Sequence, residues 1–207
     1  MRKLRLYWIP GSAAMAPHAA LAETGVEYEL ARVERDEEGR SPPEYVRLNP
    51  SGRVPTLVDG DLVLTESAGI LLYLADGFPE AELAPPVGER AELYRWLVFL
   101  TNTVQTGLLR FLYPERYGDD SVRAVAAAEL EQLFDRIESR LDGREWLVGE
   151  ERSGADLFLF MVTRCGRHLD SPAWERPNLR EHWLRTLELP GVEKMMEEQG
   201  LELPAFA

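Results

Sequence analysis

Apolar and charged residues alternate through Lys3-Leu4-Arg5-Leu6-Tyr7-Trp8, the period of a half-buried strand, and Pro10-Gly11 ends the run. The pattern then changes to helical. Because Pro17 is tolerated only in a first turn, that helix starts close to Ala16 or bends there, and it stops at Gly25 with Ser12 left in the loop or at a cap. Val26 to Val33 alternates again as a second strand, the charged run Glu34 to Arg40 reads as a solvated loop, and Pro42-Pro43 opens a short helix ending near Leu48. Thr56-Leu57-Val58, the Asp59-Gly60 turn and Leu62-Val63-Leu64 form a hairpin pattern. From Glu66 to Asp76, Ala68, Leu71, Leu72 and Ala75 recur at helical spacing before a stop at Gly77.

The second half of the chain carries helical periods only. Phe78 to Val87, with Pro79, Pro85 and Pro86, has neither period and reads as a linker, so the expected domains are 1–77, a linker 78–87 and an all-helical 88–207. Leu93, Trp96, Leu97, Leu100, Val104 and Leu108 form the stripe of one long helix, and a second runs from Ser121 to Leu141 with Gly143 as its stop. Ser153-Gly-Ala-Asp156 ahead of Leu157 to Val162 is a capping box with Asp in place of Glu or Gln, and so apolar a helix should be the buried centre of its domain. Shorter helices are expected near Leu179 to Leu187 and Val192 to Gln199, followed by an apolar tail from Leu201 to Ala207.

Composition narrows the function classes. The 207 residues, 45% of them hydrophobic, are enough for ordinary globular cores. A net charge of −13 argues against nucleic acid, which needs clustered Lys and Arg, and against anionic membrane surfaces. No leading apolar run follows Met1-Arg2-Lys3 and no apolar stretch is long enough for a membrane span, so a cytoplasmic protein is expected. The single cysteine, Cys165, excludes an internal disulfide; it shares a helical face with Phe158, Met161 and Val162 and reads as a buried, inert thiol. His18, His168 and His182 are scattered without partners at metal spacing, so no metal is expected.

The most suggestive stretch is Asn49-Pro-Ser-Gly-Arg-Val-Pro-Thr-Leu57, continued by Leu64-Thr-Glu-Ser-Ala-Gly-Ile70. An X-Pro bond straight after a tight turn, Val54-Pro55, is a candidate cis peptide. In that geometry the N–H and C=O of Val54 face outward, a donor and an acceptor for an extended peptide ligand. Glu66 and Ser67 open a helix, a place where acidic and hydroxyl residues are also favoured simply as helix starters.

Together these features resemble the cytosolic glutathione transferase superfamily: an α/β thioredoxin-like N-terminal domain with a Val-Pro turn and a Thr-Glu-Ser helix start, joined by a Pro-rich linker to an all-α C-terminal domain. The resemblance spans essentially the whole chain, and Pro10-Gly-Ser-Ala-Ala-Met-Ala-Pro-His18 is most similar to the bacterial beta class. It implies glutathione as co-substrate and no metal, with a small electrophile as second substrate and a homodimer as the assembly. It also implies roles. Ser67 and the first N–H groups of its helix would hold the γ-glutamyl carboxylate, Glu66 the ammonium, Val54 the cysteinyl backbone with Pro55 fixing the turn, and Arg53 would lie near the glycyl carboxylate. The chain departs from the beta pattern at the thiol. The position of the beta-class Cys is Ala13, its neighbouring Ser is Ala14, the strand Tyr is Trp8, and a His-Lys pair of the second domain aligns with Gln105-Thr106. Ser12 and Tyr7 remain as hydroxyls that could stabilise a glutathione thiolate, beside a backbone N–H near Ser12 or Ala13. Trp8, Met15, Leu109, Phe111, Tyr113, Tyr117 and Phe206 are candidate apolar lining for the co-substrate, or core. Two readings follow, an enzyme of the transferase type and a catalytically quiet glutathione-binding or interaction module.

Overall fold

The computed structural model describes residues 4–119 and 121–204; Lys3, at the start of the expected first strand, and Phe206, in the tail, lie outside the described residues. The chain divides into two compact units, one made of Met1–Leu83 with Leu189–Ala207 and the other of Ala84–Glu188. The break at Leu83 falls inside the proline-rich stretch.

In the first unit, β1 (Leu4–Trp8), α1 (Met15–Glu23), β2 (Tyr28–Arg32), α2 (Pro43–Leu48), β3 (Thr56–Asp59), β4 (Leu62–Thr65) and α3 (Ser67–Gly77) follow one another. They form one mixed sheet in the order β2-β1-β3-β4, with β1 parallel to β2 and antiparallel to β3. Alternation sets the two faces. Leu4, Leu6 and Trp8 are buried on one side, and the Trp8 ring meets His18 of α1 at 6.3 Å, while Tyr7 on the other side lies 5.2 Å from the Tyr45 ring of α2. The α1 and α2 helices therefore cover opposite faces. Pro17 sits in the first turn of α1, where its missing N–H costs nothing.

The last helix corrects the expected grouping of 88–207. Here α9 (Pro190–Gln199) packs against α1 in the first unit, not among the other helices. The physical reason is visible in α1: Met15 to Leu21 are all buried, so the helix has no solvent face and needs a second cover beyond the sheet. The approach is close, since a Cβ on Gly191 would lie 2.5 Å from the Ala19 carbonyl, and the Gly191 N–H donates to Glu23 Oε1 at 2.6 Å.

The second unit holds α4 (Ala91–Phe99), α5 (Thr106–Leu112), α6 (Ser121–Leu141), α7 (Gly154–Cys165) and α8 (Pro177–Leu187). The single helix expected across Leu93 to Leu108 is continuous, but widens to a π-helical segment at Leu100–Gln105 between α4 and α5. Thr101 donates to the Leu97 carbonyl at 2.7 Å and Thr106 to the Thr101 carbonyl at 3.4 Å, so hydroxyls compete for the helix's own acceptors there. The capping box of α7 is present, and α7 is buried along almost its whole length. Asp156 does more than cap: Oδ2 accepts from the Ser153 N–H at 2.8 Å, and Oδ1 accepts from the Leu147 N–H at 2.8 Å and lies 2.8 Å from His182 Nε2 of α8.

Candidate functional site

Strand register brings the candidate residues together. Tyr7 pairs with Thr56 and Thr56 with Thr65, so the loop after β1, the turn before β3 and the helix start after β4 meet at one end of the sheet. Val54-Pro55 is cis, as the turn chemistry suggested. Neither the N–H nor the C=O of Val54 has a hydrogen-bond partner among the described residues.

That turn is held from beneath by side chains the sequence reading did not single out. Tyr45 Oη donates to the Arg53 carbonyl at 2.5 Å, and Asn49 Nδ2 donates to the same oxygen at 2.8 Å. Asn49 Oδ1 accepts from the Ser51 N–H at 3.1 Å and from the Ser51 hydroxyl at 2.8 Å, an Asx turn that Asn-Pro-Ser signals in sequence. Gly52 has φ +62°, the left-handed region where a side chain would be strained. The long-range Tyr45 anchor had no sequence signal. Pro55 is buried, and Arg53 is exposed without an ion pair among the described residues.

At the start of α3, Ser67 is buried and its hydroxyl donates to the Ala13 carbonyl at 2.9 Å, tying the helix start to the loop after β1. The first intrahelical bond runs from Ile70 N–H to Glu66 C=O, leaving the N–H groups of Ser67, Ala68 and Gly69 at an open helix end. Glu66 is exposed and sits at φ 67°, ψ 114°, a conformation that side chains rarely adopt.

Ser12 is half-buried in the loop. Its hydroxyl donates to the Ile9 carbonyl at 2.7 Å and accepts from the Ala14 N–H at 3.2 Å, so it folds the loop, whereas the Ala13 N–H has no partner among the described residues. Tyr7 lies on the α2 face beneath Tyr45. The loop is also pinned from α9. The Gly11 N–H donates to Gln199 Oε1 at 3.1 Å, Gln199 Nε2 lies 3.0 Å from His18 Nδ1, and His18 Nε2 lies 2.7 Å from Glu198 Oε2. With the proton on Nε2, every link of this chain has one donor and one acceptor. Burial holds the His18 pKa below its ordinary value, and hydrogen bonds from His18 and Tyr28 hold the Glu198 carboxyl low against its own burial.

Of the candidate apolar residues, Trp8, Met15 and Phe111 are buried, while Tyr113 and Tyr117 are 40% and 46% exposed. Cys165 is half-buried, not fully buried as its helical face suggested, and desolvation raises its thiol pKa. Among the described residues no cluster of three or more His, Cys, Asp or Glu side chains could hold a metal ion, and no helix is long and apolar enough to cross a membrane.

A thioredoxin-like unit with a cis Val-Pro turn, and a separate helical unit around a capped α7, define a class that comparison with known proteins identifies. Residues 2–76 match the family model "Glutathione S-transferase, N-terminal domain" and residues 100–190 match "Glutathione S-transferase, C-terminal domain". Glutathione S-transferase GST-4.5 of Xanthomonas campestris pv. campestris is 33% identical over 96% of this chain and 100% of its own. Among solved structures, a sphingomonad glutathione S-transferase complexed with glutathione superimposes with a TM-score of 0.85 at 30% identity, over 96% of this chain and 100% of that one. The beta class enzyme of Sphingomonas chungbukensis does so with 0.85 at 31% over the same shares. The chain belongs to the glutathione S-transferase family, and its activity class is that of a transferase.

Proposed function

We propose that the chain binds glutathione at the sheet end described above and promotes attack of its thiolate on a small electrophile, as a cytoplasmic homodimer. The observation that carries this is the open backbone of Val54 at a cis turn, with Ser67 and the free helix-end N–H groups of α3 at the same end of the sheet. Val54 pairs with the cysteinyl backbone of the ligand. The N–H groups of α3 hold the γ-glutamyl carboxylate, joined by the Ser67 hydroxyl once it rotates away from the Ala13 carbonyl, Glu66 holds the ammonium, and Arg53 attracts the glycyl carboxylate. Pro55 shapes the turn.

For the thiolate, we place Ser12 and the Ala13 N–H ahead of Tyr7. Support comes from the free Ala13 N–H and from the position of Tyr7 on the α2 face, under Tyr45. Ser12 reaches the sulfur by rotating its hydroxyl away from Ile9, and a hydrogen bond to a charged acceptor is worth about 1.5–3 kcal/mol. Turnover with a panel of electrophiles and a hydroperoxide tests the reading. Ser12→Ala is expected to lower kcat about 10- to 100-fold and to raise the pKa of the kcat/KM profile, with Tyr7→Phe within about twofold of the parent. No turnover with any of them, alongside calorimetric glutathione binding, would leave the quiet binding module; no binding would sink both.

A further inference from the structure

The helical unit contains an arginine that the glutathione reading leaves unused. Arg164 lies in the last turn of α7 and is 8% exposed. Other arginines this deep are bonded. Arg176 meets Glu131 at 2.6 Å and Asp135 at 2.8 Å, and Arg90 donates to the Pro85 carbonyl at 2.8 Å. The Arg164 guanidinium has neither an ion pair nor a hydrogen bond among the described residues, in a chain with 36 acidic residues to 23 Lys and Arg. Its neighbour Arg167 is cationic as well. Arg167 donates to the Arg164 carbonyl at 2.8 Å, exposed His168 follows, and Asp170 pairs with neither arginine among the described residues. Burial and the Arg167 charge hold the Arg164 pKa below its ordinary value, and desolvation with the two arginines holds His168 low and neutral, so the positive charge at this end of α7 is that of Arg164 and Arg167. The stem of Arg164 is buried while its unpartnered nitrogens, unlike Nη1 of Arg176, are not closed off from solvent, so an anion can reach a guanidinium that no protein acceptor already occupies.

We propose that Arg164, in the positive field of Arg167, is an anion-binding site on the helical unit that takes a compact oxyanion with two oxygens along one edge. A guanidinium is a planar fork that matches such an edge. The shared chemistry admits a carboxylate on a small organic acid or inorganic phosphate. The site does not depend on glutathione.

The competing account makes Arg164 a structural cation satisfied by the carbonyl end of α7. The two differ in what loss of the charge does. Melting of the full-length protein is followed at pH 7.5 and constant ionic strength in chloride, then with potassium phosphate or sodium benzoate in its place. The parent is expected to gain about 3 °C at roughly ten times the Kd of the anion. Arg164→Met is expected to melt no lower than the parent in chloride and to gain nothing from either anion. Arg164→Lys keeps the charge without the fork and should retain part of the gain. A gain with phosphate alone assigns the site to inorganic oxyanions, and a gain with benzoate to organic acids; either supports it. Equal gains in the parent and Arg164→Met would reduce the effect to general salt stabilisation and overturn the proposal, as would no gain up to about 50 mM. Should Arg164→Met fail to fold, Arg167→Gln serves instead, with a smaller gain expected and an unchanged gain counting against the site.

Discussion

At Glu66 backbone strain and a proposed ligand contact fall on a single residue. Its φ of 67° with ψ of 114° is a backbone conformation that costs on the order of 1–3 kcal/mol in a residue with a side chain. Its carboxylate is exposed and caps nothing in α3, so the fold gains no visible hydrogen bond from it. A strained acidic residue beside the open N–H groups of a helix start fits the ammonium role proposed for it. Glu66→Gly removes the strain and the charge together. It is expected to raise the urea midpoint slightly, while the KM for glutathione rises about tenfold, a loss of about 1.4 kcal/mol. A fall in stability with unchanged KM would place Glu66 in the fold and not in the site.

The α1–α9 pairing carries the pH dependence at the scale of elements. His18 on α1 is fully buried, faces Glu198 and Gln199 of α9, and has Lys194 as a further charged neighbour. Protonating it would set Nδ1–H against the Gln199 NH2 group, two donors facing each other. The folded-state pKa lies below the unfolded value of about 6.5, so the unfolded chain binds the extra proton first and stability falls as pH drops below about 6.5. The lowered Glu198 carboxyl works at more acid pH, its contribution being lost only as pH falls through its folded-state pKa, below about 4.5. Urea midpoints at pH 7.5 and 5.5 should therefore drop in the parent. His18→Gln, which can donate to Glu198 and accept from Gln199, should show a much smaller drop, the remainder belonging to His168, whose pKa is also lowered. Parallel declines would refute the role of His18. This pairing also marks where the sequence stopped being legible. The alternation of β1, the Asp59-Gly60 hairpin, the cis Val54-Pro55 bond and the Ser153 capping box rest on local chemistry, and the structure carries each of them, whereas β2 is half-buried over residues 28–31 without alternating. The place of α9 rests on tertiary need: Met15 to Leu21 offer no polar face, and only the fold shows which helix covers the exposed side. Likewise Tyr45 and Gln199 act on the site loops across long sequence separations, which no spacing rule reads.

For the whole molecule, charge and surface pull against each other. A net charge of −13 makes two copies repel, yet apolar side chains stand in solvent in both units. In the first, β4 is an edge strand, and Leu62 and Val63 on it are 42% and 40% exposed. In the second, Tyr94 and Val98, four residues apart on α4, are 43% and 58% exposed. Unpaired edges and helical apolar stripes are the surfaces that association covers. A homodimer held this way should tighten with salt, because screening weakens the repulsion of like charges and leaves the apolar contact intact. Sedimentation at low ionic strength and at about 0.3 M salt is the measurement. The expected species has twice the 23.5 kDa mass of the chain, favoured by salt. Val98→Glu, which adds a negative charge to an already anionic pair, should shift the equilibrium toward the single chain by about tenfold or more, and the shift should shrink as salt rises. A single chain at every salt concentration would remove the dimer from the proposed function while leaving the proposed roles of Val54, Glu66 and Ser67 to be tested on their own.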